Sequence, residues 1–412
     1  RRFGKYTAPD FVGFRYESEV AHTLAAVIAI LISIIYSMAQ FRGIALMVSW
    51  LFGIAYTPAV ITGTALLVSF VVVSGLLGAE RIQKLQYFVL IITFILPLML
   101  MTRKLGYFWF LPQFGYGEGI TVLKQQFGFS WPPPFTGYSP FAWFALCFSL
   151  MFGTVGLPHV LSRFYMAPDA RDARWGVVCG LFFIALIYWS APGYAVLSRL
   201  FDARNNIPFN PSDTTAADMV VLSVGFLGNL PQWATGLLVA GGMSAAFFTV
   251  GGLILSGSAS FAYDIYPRLI KPHATETDKI YAAKGFFLVL AIVAMSLSLK
   301  PSTMMIAEIA ALAFALAGNT IFPAFLLGIW WGRANAAGVI SGMLTGVVIT
   351  FLPLFVNHSV PLFAQLFPVT SSAFLGAPLV LAIMIAVSLM TAPPSKEIRT
   401  FLSRKVHDCP EE

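Results

Sequence analysis

Few residues in this chain can do chemistry, and most of them sit inside long apolar runs. Ser33, Ser37 and Gln40 follow an i, i+4, i+7 spacing, so one face of the first run is polar. Arg42 follows two residues later. An arginine there either lines an aqueous path and meets an anion, or snorkels its charged head to the interface. The stretch "MFGTVGLPHVLSRFY" (151–165) carries Gly153, Gly156 and Pro158 beside Thr154. The stretch "ALAGNTIFPAF" (315–325) places Asn319 and Thr320 ahead of Pro323. A third, "AGGMSAAFFTVGGLILSGSASFAYDIY" (240–266), is rich in Gly and Ser. In lipid, backbone polar groups must be bonded internally, so such breaks persist only where protein or a water-lined cavity covers them. Transporters use them to aim helix ends and bare carbonyls at ions and solutes. Gln40, Arg42, Thr154 and Asn319 are therefore the substrate-path candidates, and Gly153, Gly156 and Pro158 the hinge candidates.

Each feature has a plainer reading. Small residues let helices pack closely. The Pro158 break is also what an ordinary helix end looks like, because a basic loop is expected from Arg163. Glu308, near the start of its run, is either an interfacial carboxylate or a contact for a proton or cation. His159 reads as a helix-end residue. The cysteines Cys147, Cys179 and Cys409 show no paired spacing. The first two read as packed small hydrophobes, with no metal or disulfide framework. No phosphate loop, nucleophile elbow or His-Glu-x-x-His motif is present in the sequence, so an enzyme is not expected.

The elements that must position these residues are membrane helices. The chain has 412 residues, 58% hydrophobic and 10% charged, against about 45–50% and about 25% in ordinary globular domains. Runs of about 20 apolar residues, the length needed to cross a bilayer, recur throughout. They do not alternate as barrel strands would. Ten spans are expected, near 21–50, 57–78, 83–102, 140–161, 176–199, 234–263, 283–299, 303–329, 335–356 and 372–391. The short stretch 219–228 reads as an interfacial or re-entrant helix. The first 20 residues read as a polar loop, and 392–412 as a cytoplasmic tail behind a transmembrane domain of 1–391.

The net charge of +7 is distributed by loop rather than gathered for nucleic acid. One set of loops holds Arg1, Arg2, Lys5, Arg15, Arg81, Lys84, Arg163, Arg171, Arg174, Arg268, Lys271, Lys279, Lys284, Arg333, Lys396, Arg399, Arg404 and Lys405. The alternate set holds Arg42, Arg103, Lys104, Lys124, Arg199, Arg204 and Lys300. This bias, 18 against 7 of the 25, places both termini in the cytoplasm and the loop "FSWPPPFTGYSP" (129–140) outside.

Several blocks resemble the sodium:solute symporter family, acetate permease branch. "RRFGKYTAPDFVGFRYESE" is similar to the loop before that family's fourth helix. "GTVGLPHVLSRFYMAPDARDAR" (153–174) is the most specific match, and "GLILSGSASFAYDIY" (252–266) and "LAFALAGNTIFPAFLLGIWW" (312–331) follow in order. The resemblance implies an all-α polytopic fold, the inverted five-plus-five helix repeat, with three helices preceding residue 1. It also implies a sodium site whose half on this chain falls, counting back from Asp264, on Ala245, Phe248 and Thr249. Thr249 would supply a hydroxyl and Ala245 a carbonyl. Phe248 stands where the sugar-transporting branch has serine.

The expected function is secondary active symport of a small monocarboxylate such as acetate, coupled to a cation. The coupling ion is Na⁺ or H⁺, with Na⁺ favoured, and no other cofactor is expected. The location is a bacterial cytoplasmic membrane. Two alternatives belong to other classes: a solute-sensing membrane unit, against which nothing after Met390 resembles a kinase, and a non-transporting fragment of a symporter.

Overall fold

The structure, a computed structural model, describes residues 7–129, 140–166, 169–208, 213–356 and 368–403, without the side chains of 71–84, 165, 166 and 170. Most of the loop 129–140, the last residues of the tail and Cys409 lie outside the described residues. Eight described helices are long and apolar enough to cross a bilayer, or nine if one bent pair counts as a span. The remaining expected span, 57–78, is described with its side chains only as far as Phe70. The protein is a multi-pass membrane protein.

The N-terminal segment is not a loop throughout. Thr7 accepts a hydrogen bond from Asp10 N at 3.0 Å, and the cap starts helix α1, Ala8–Tyr16. Arg15, expected as a loop charge, is fully buried. Its guanidinium donates to the carbonyls of Gly328, Trp331 and Ala334 at 2.6, 2.9 and 3.2 Å. These carbonyls lie at and beyond the end of a later helix, where a cation completes unpaired acceptors. The bulky, apolar side of α1 makes this possible: Phe11 stacks on Phe325 with ring centroids 4.2 Å apart.

Ser18 caps α2, Glu19–Phe52, and Gly53 ends it at a φ of 64°, a backbone region open to glycine. Two apolar cores share this helix. Its first half packs with α1 and the C-terminal helices, and its second half with the central ones. The polar face expected on it turns inward: Ser33 and Ser37 are buried, and Ser33 donates to its own helix at Ala29. Gln40 is half-buried.

Two expected spans, 57–78 and 83–102, form one helical run, α3, Tyr56–Lys104. No proline lies between them, and the sequence there favours helix. Yet the run is not straight. The Phe70 ring lies 6.3 Å from the Phe247 ring, and the Gln86 carbonyl accepts from Ser244 Oγ at 3.3 Å. A straight helix would separate residues 70 and 86 by about 24 Å. Further along, Gly241 abuts Thr93. The two arms therefore run in opposite directions beside the same helix, as two spans do.

After α4, Pro112–Phe127, the span expected at 140–161 is two helices, α5, Pro140–Gly156, and α6, Pro158–Met166, bent by 53°. Helix α7, Ala170–Arg204, starts earlier than expected, so Arg171 and Arg174 lie on helix rather than loop. Cys147 and Cys179 are exposed, not packed inside. The short stretch near 219–228 forms α8, Thr214–Leu227. Helix α9, Gln232–Ala259, continues as a wide π-helical segment through Ile270. Pro267 lies in that segment and cannot donate to a regular ladder.

Helix α10, Glu276–Ser298, opens with a reciprocal Thr275–Asp278 capping box. The span expected at 303–329 is broken into α11, Ile306–Asn319, and α12, Ile321–Trp330. Helices α13, Ala336–Val356, and α14, Ala373–Met390, follow. A last short helix, α15, Lys396–Phe401, is tied back to α1: Glu17 accepts from Ser395 N and Oγ, at 3.1 and 2.7 Å.

Candidate functional site

The two interrupted spans meet at their interruptions. A Cβ on Gly153 would lie 2.5 Å from the Phe314 carbonyl oxygen. One on Gly156 would lie 2.8 Å from the Ala317 carbonyl carbon and 3.1 Å from Phe322 N. Only glycine lets the end of α5 sit directly on the α11–α12 break at Thr320. Phe152 and Phe322 stack across this crossing at 4.8 Å. Tyr36 of α2 reaches it too, with its ring 5.4 Å from Phe314 and 5.9 Å from His159. Thus Gly153, Gly156, Pro158 and the chain around Asn319 come together.

Asn319 itself is fully buried, and its Oδ1 has no hydrogen-bond partner among the described residues. Its amide donates to Thr350 Oγ1 at 2.9 Å and Ser372 Oγ at 3.3 Å, tying the break to α13 and α14. Its role here is anchoring. Thr154 is exposed and donates to its own helix at Leu150, 2.7 Å away.

Helix α9 carries the other candidates. Ala245, Phe248 and Thr249 are all half-buried. Thr249 Oγ1 donates to the Ala245 carbonyl at 2.9 Å, so the two oxygens stand adjacent. Adjacent hydroxyl and carbonyl oxygens fit a hard cation, which takes oxygen ligands. The Arg163 guanidinium of α6 lies 4.9 Å above the Phe248 ring, so α6 covers α9 at this level. Phe248 can offer Na⁺ an oxygen only from its backbone.

Arg42 does not snorkel to the interface; it lines a cavity of about 210 Å³ with Tyr56 and Ser302. It is buried and ion-paired with Asp218 of α8, Nη2 to Oδ2, at 2.9 Å. It also donates to the carbonyls of Ser302 and Met304. Asp218 accepts the Ile306 N–H at 3.1 Å, at the start of α11. Burial pushes the Asp218 carboxyl above the usual range, against the pull of the Ile306 N–H and of Arg42. Glu308 accepts from Met305 N at 2.8 Å and serves as a first-turn cap. A cavity of about 240 Å³ adjoins Asp218. Gly43, Asp218 and Ile306 line it, as does Ala245.

Sequence reasoning missed Asp218. The signal was available: an arginine inside an apolar run requires a partner, and Asp218 is a lone carboxylate heading an apolar stretch. It also missed a buried cluster at the opposite end of α9. There Asp264 Oδ1 accepts from Thr7 Oγ1 at 2.9 Å and pairs with His22 Nε2 at 2.8 Å.

Known proteins share this arrangement. A solved Na⁺-coupled sialic acid symporter, in a substrate-bound outward-open state, matches 95% of this chain and 78% of its own with a TM-score of 0.71 at 17% identity. That likeness gives the fold, the inverted five-plus-five helix repeat. An uncharacterized symporter of Cupriavidus necator is 31% identical over 60% of this chain, a match that spans only 42% of the relative's length. An uncharacterized symporter of Bacillus subtilis is 30% identical over 92% of this chain and 72% of its own length. The sequence profile of the sodium:solute symporter family matches residues 1–346. With broken helices crossing at their breaks beside a small-residue helix, and with that match across most of its length, the chain belongs to the sodium:solute symporter family.

Proposed function

We propose that this protein couples Na⁺ to the uptake of a small monocarboxylate such as acetate, with both bound near mid-membrane. The observation that carries the reading is the crossing of two interrupted spans at Leu157 and Thr320, packed backbone to backbone. Helices α6 and α12 both begin at this crossing. A helix start presents free donors and the positive end of its dipole, which favours a carboxylate. Thr249 Oγ1 and the Ala245 carbonyl offer oxygens to Na⁺ on the neighbouring α9. Bending at the 53° junction would change which side of the membrane reaches the crossing.

Family membership supports symport, and the structural neighbour is Na⁺-coupled. The monocarboxylate rests on the resemblance of the 153–174 block to the acetate permease branch. The test is a substrate panel in proteoliposomes holding the full chain. Labelled acetate should accumulate, propionate and pyruvate should compete, and sialic acid and glucose should not. Competition by sialic acid or glucose, with none by short carboxylates, would replace the substrate class.

A further inference from the structure

We infer that His159 recognises the carboxylate of the solute at the crossing. This rests on the reading of the crossing as the solute site. His159 is the second residue of α6, just past the interruption at Leu157. Its ring lies 5.9 Å from the Tyr36 ring of α2, and Tyr36 lies 5.4 Å from Phe314 of α11. The imidazole therefore stands where α2, α6 and α11 meet, inside the bundle.

The ring is also unsatisfied. His159 Nδ1 is buried without a hydrogen-bond partner, and the ring makes no hydrogen bond among the described residues. His22 shows the contrast, since its Nε2 is paired with Asp264 at 2.8 Å. An enclosed polar group without a partner destabilises the empty protein, and a ligand that completes it removes that cost. In a neutral imidazole one nitrogen donates and the other accepts. With Nδ1 shut in, Nε2 is the atom left for a ligand, and as N–H it donates to one carboxylate oxygen. The backbone adds a donor beside it. Val160 N and Leu161 N are both spent on the Leu157 carbonyl, which leaves the N–H of His159 as a first-turn donor without an acceptor in its own helix.

The same helix links the carboxylate to the cation. Arg163 follows one turn later on α6, and its guanidinium lies 4.9 Å above the ring of Phe248, the neighbour of Thr249. A carboxylate at His159 is thus held by the helix that covers the Thr249 and Ala245 oxygens. Opposite charges bound on facing helices attract, so each ion favours the binding of the other.

The experiment begins with the unaltered protein. The reconstituted full chain is treated with diethyl pyrocarbonate, which acylates accessible imidazoles, and each histidine is read by peptide mass spectrometry. His159 should react in the empty protein. With Na⁺ present, acetate at about ten times its Kd should slow that reaction about tenfold. Acetamide, of the same size but uncharged, should not, and choline in place of Na⁺ should weaken the protection by acetate. Exposed His273 is the control and should react equally throughout. In transport, His159→Leu should raise the KM for acetate about tenfold or more with kcat little changed, as loss of a hydrogen bond to a charged group does. His159→Gln keeps a donor and should restore most of the affinity. If neither variant accumulates, the labelling decides alone. An unreactive His159, a reaction that no solute slows, or an unchanged KM in His159→Leu overturns the inference. Protection by glucose also overturns it, because glucose carries no carboxylate. Protection by sialic acid alone, itself a carboxylate, supports His159 and removes only the short-chain reading of the substrate.

Discussion

Gly156→Ala is the sharpest perturbation of the crossing. The new methyl would lie 2.8 Å from the Ala317 carbonyl carbon and 3.1 Å from Phe322 N, and would collide with the Ala317 carbonyl oxygen. These neighbours are backbone, so no side chain can rotate aside. The helices must separate, and overpacking of this kind costs about 1–3 kcal/mol. At about 1.4 kcal/mol per decade, uptake should fall roughly 10- to 100-fold if transport passes through the packed crossing. Gly180→Ala on α7 is the control, because its added methyl meets nothing within 4 Å. The assay compares initial uptake in proteoliposomes at equal protein, with a melting midpoint in detergent for each variant. If Gly156→Ala melts and transports like Gly180→Ala, the close crossing has no functional weight and the reasoning fails.

Further outcomes follow from other contacts. Pro158→Ala should slow transport markedly with normal accumulation if the 53° junction is a hinge; unchanged kinetics would make it a plain helix break. Thr249→Ala removes the hydroxyl beside the Ala245 carbonyl and should raise the Na⁺ concentration needed for half-maximal uptake; an unchanged Na⁺ dependence takes Thr249 out of the site. Arg15→Met removes the buried donors to the Gly328 and Ala334 carbonyls and should destabilise the protein by about 2–6 kcal/mol, seen as a large drop in melting midpoint; a drop no greater than that of Gly180→Ala would contradict the capping role. A cysteine at Gly117 should react with an impermeant reagent from outside and one at Asp169 only from inside, and the reverse pattern would invert the topology.

The spans were legible because each apolar run approaches bilayer length, and the breaks were legible because Gly and Pro mark them. What the breaks touch was not legible. Gly156 meets Ala317 across the fold, and no local pattern encodes that encounter. Arg42 illustrates the same limit: its partner lies 176 residues away, so nothing on its own helix announces the ion pair. Asn319 stands out in the sequence because it is polar near a proline, but its partners Thr350 and Ser372, 31 and 53 residues on, are not announced there. The first helix was hidden by its polarity, although Thr7 and Pro9 are ordinary start signals. The run 56–104 reads as one helix locally, and only its contacts with α9 show the reversal.

The proposed transport is of a small carboxylate, driven through this crossing by a Na⁺ gradient. The direct measurement is labelled acetate uptake into proteoliposomes of the full chain, with an inward Na⁺ gradient and with pH and voltage clamped equal on both sides. The account predicts transient accumulation above equilibrium that vanishes when choline replaces Na⁺. Accumulation that ignores Na⁺ but follows an imposed proton gradient would contradict it.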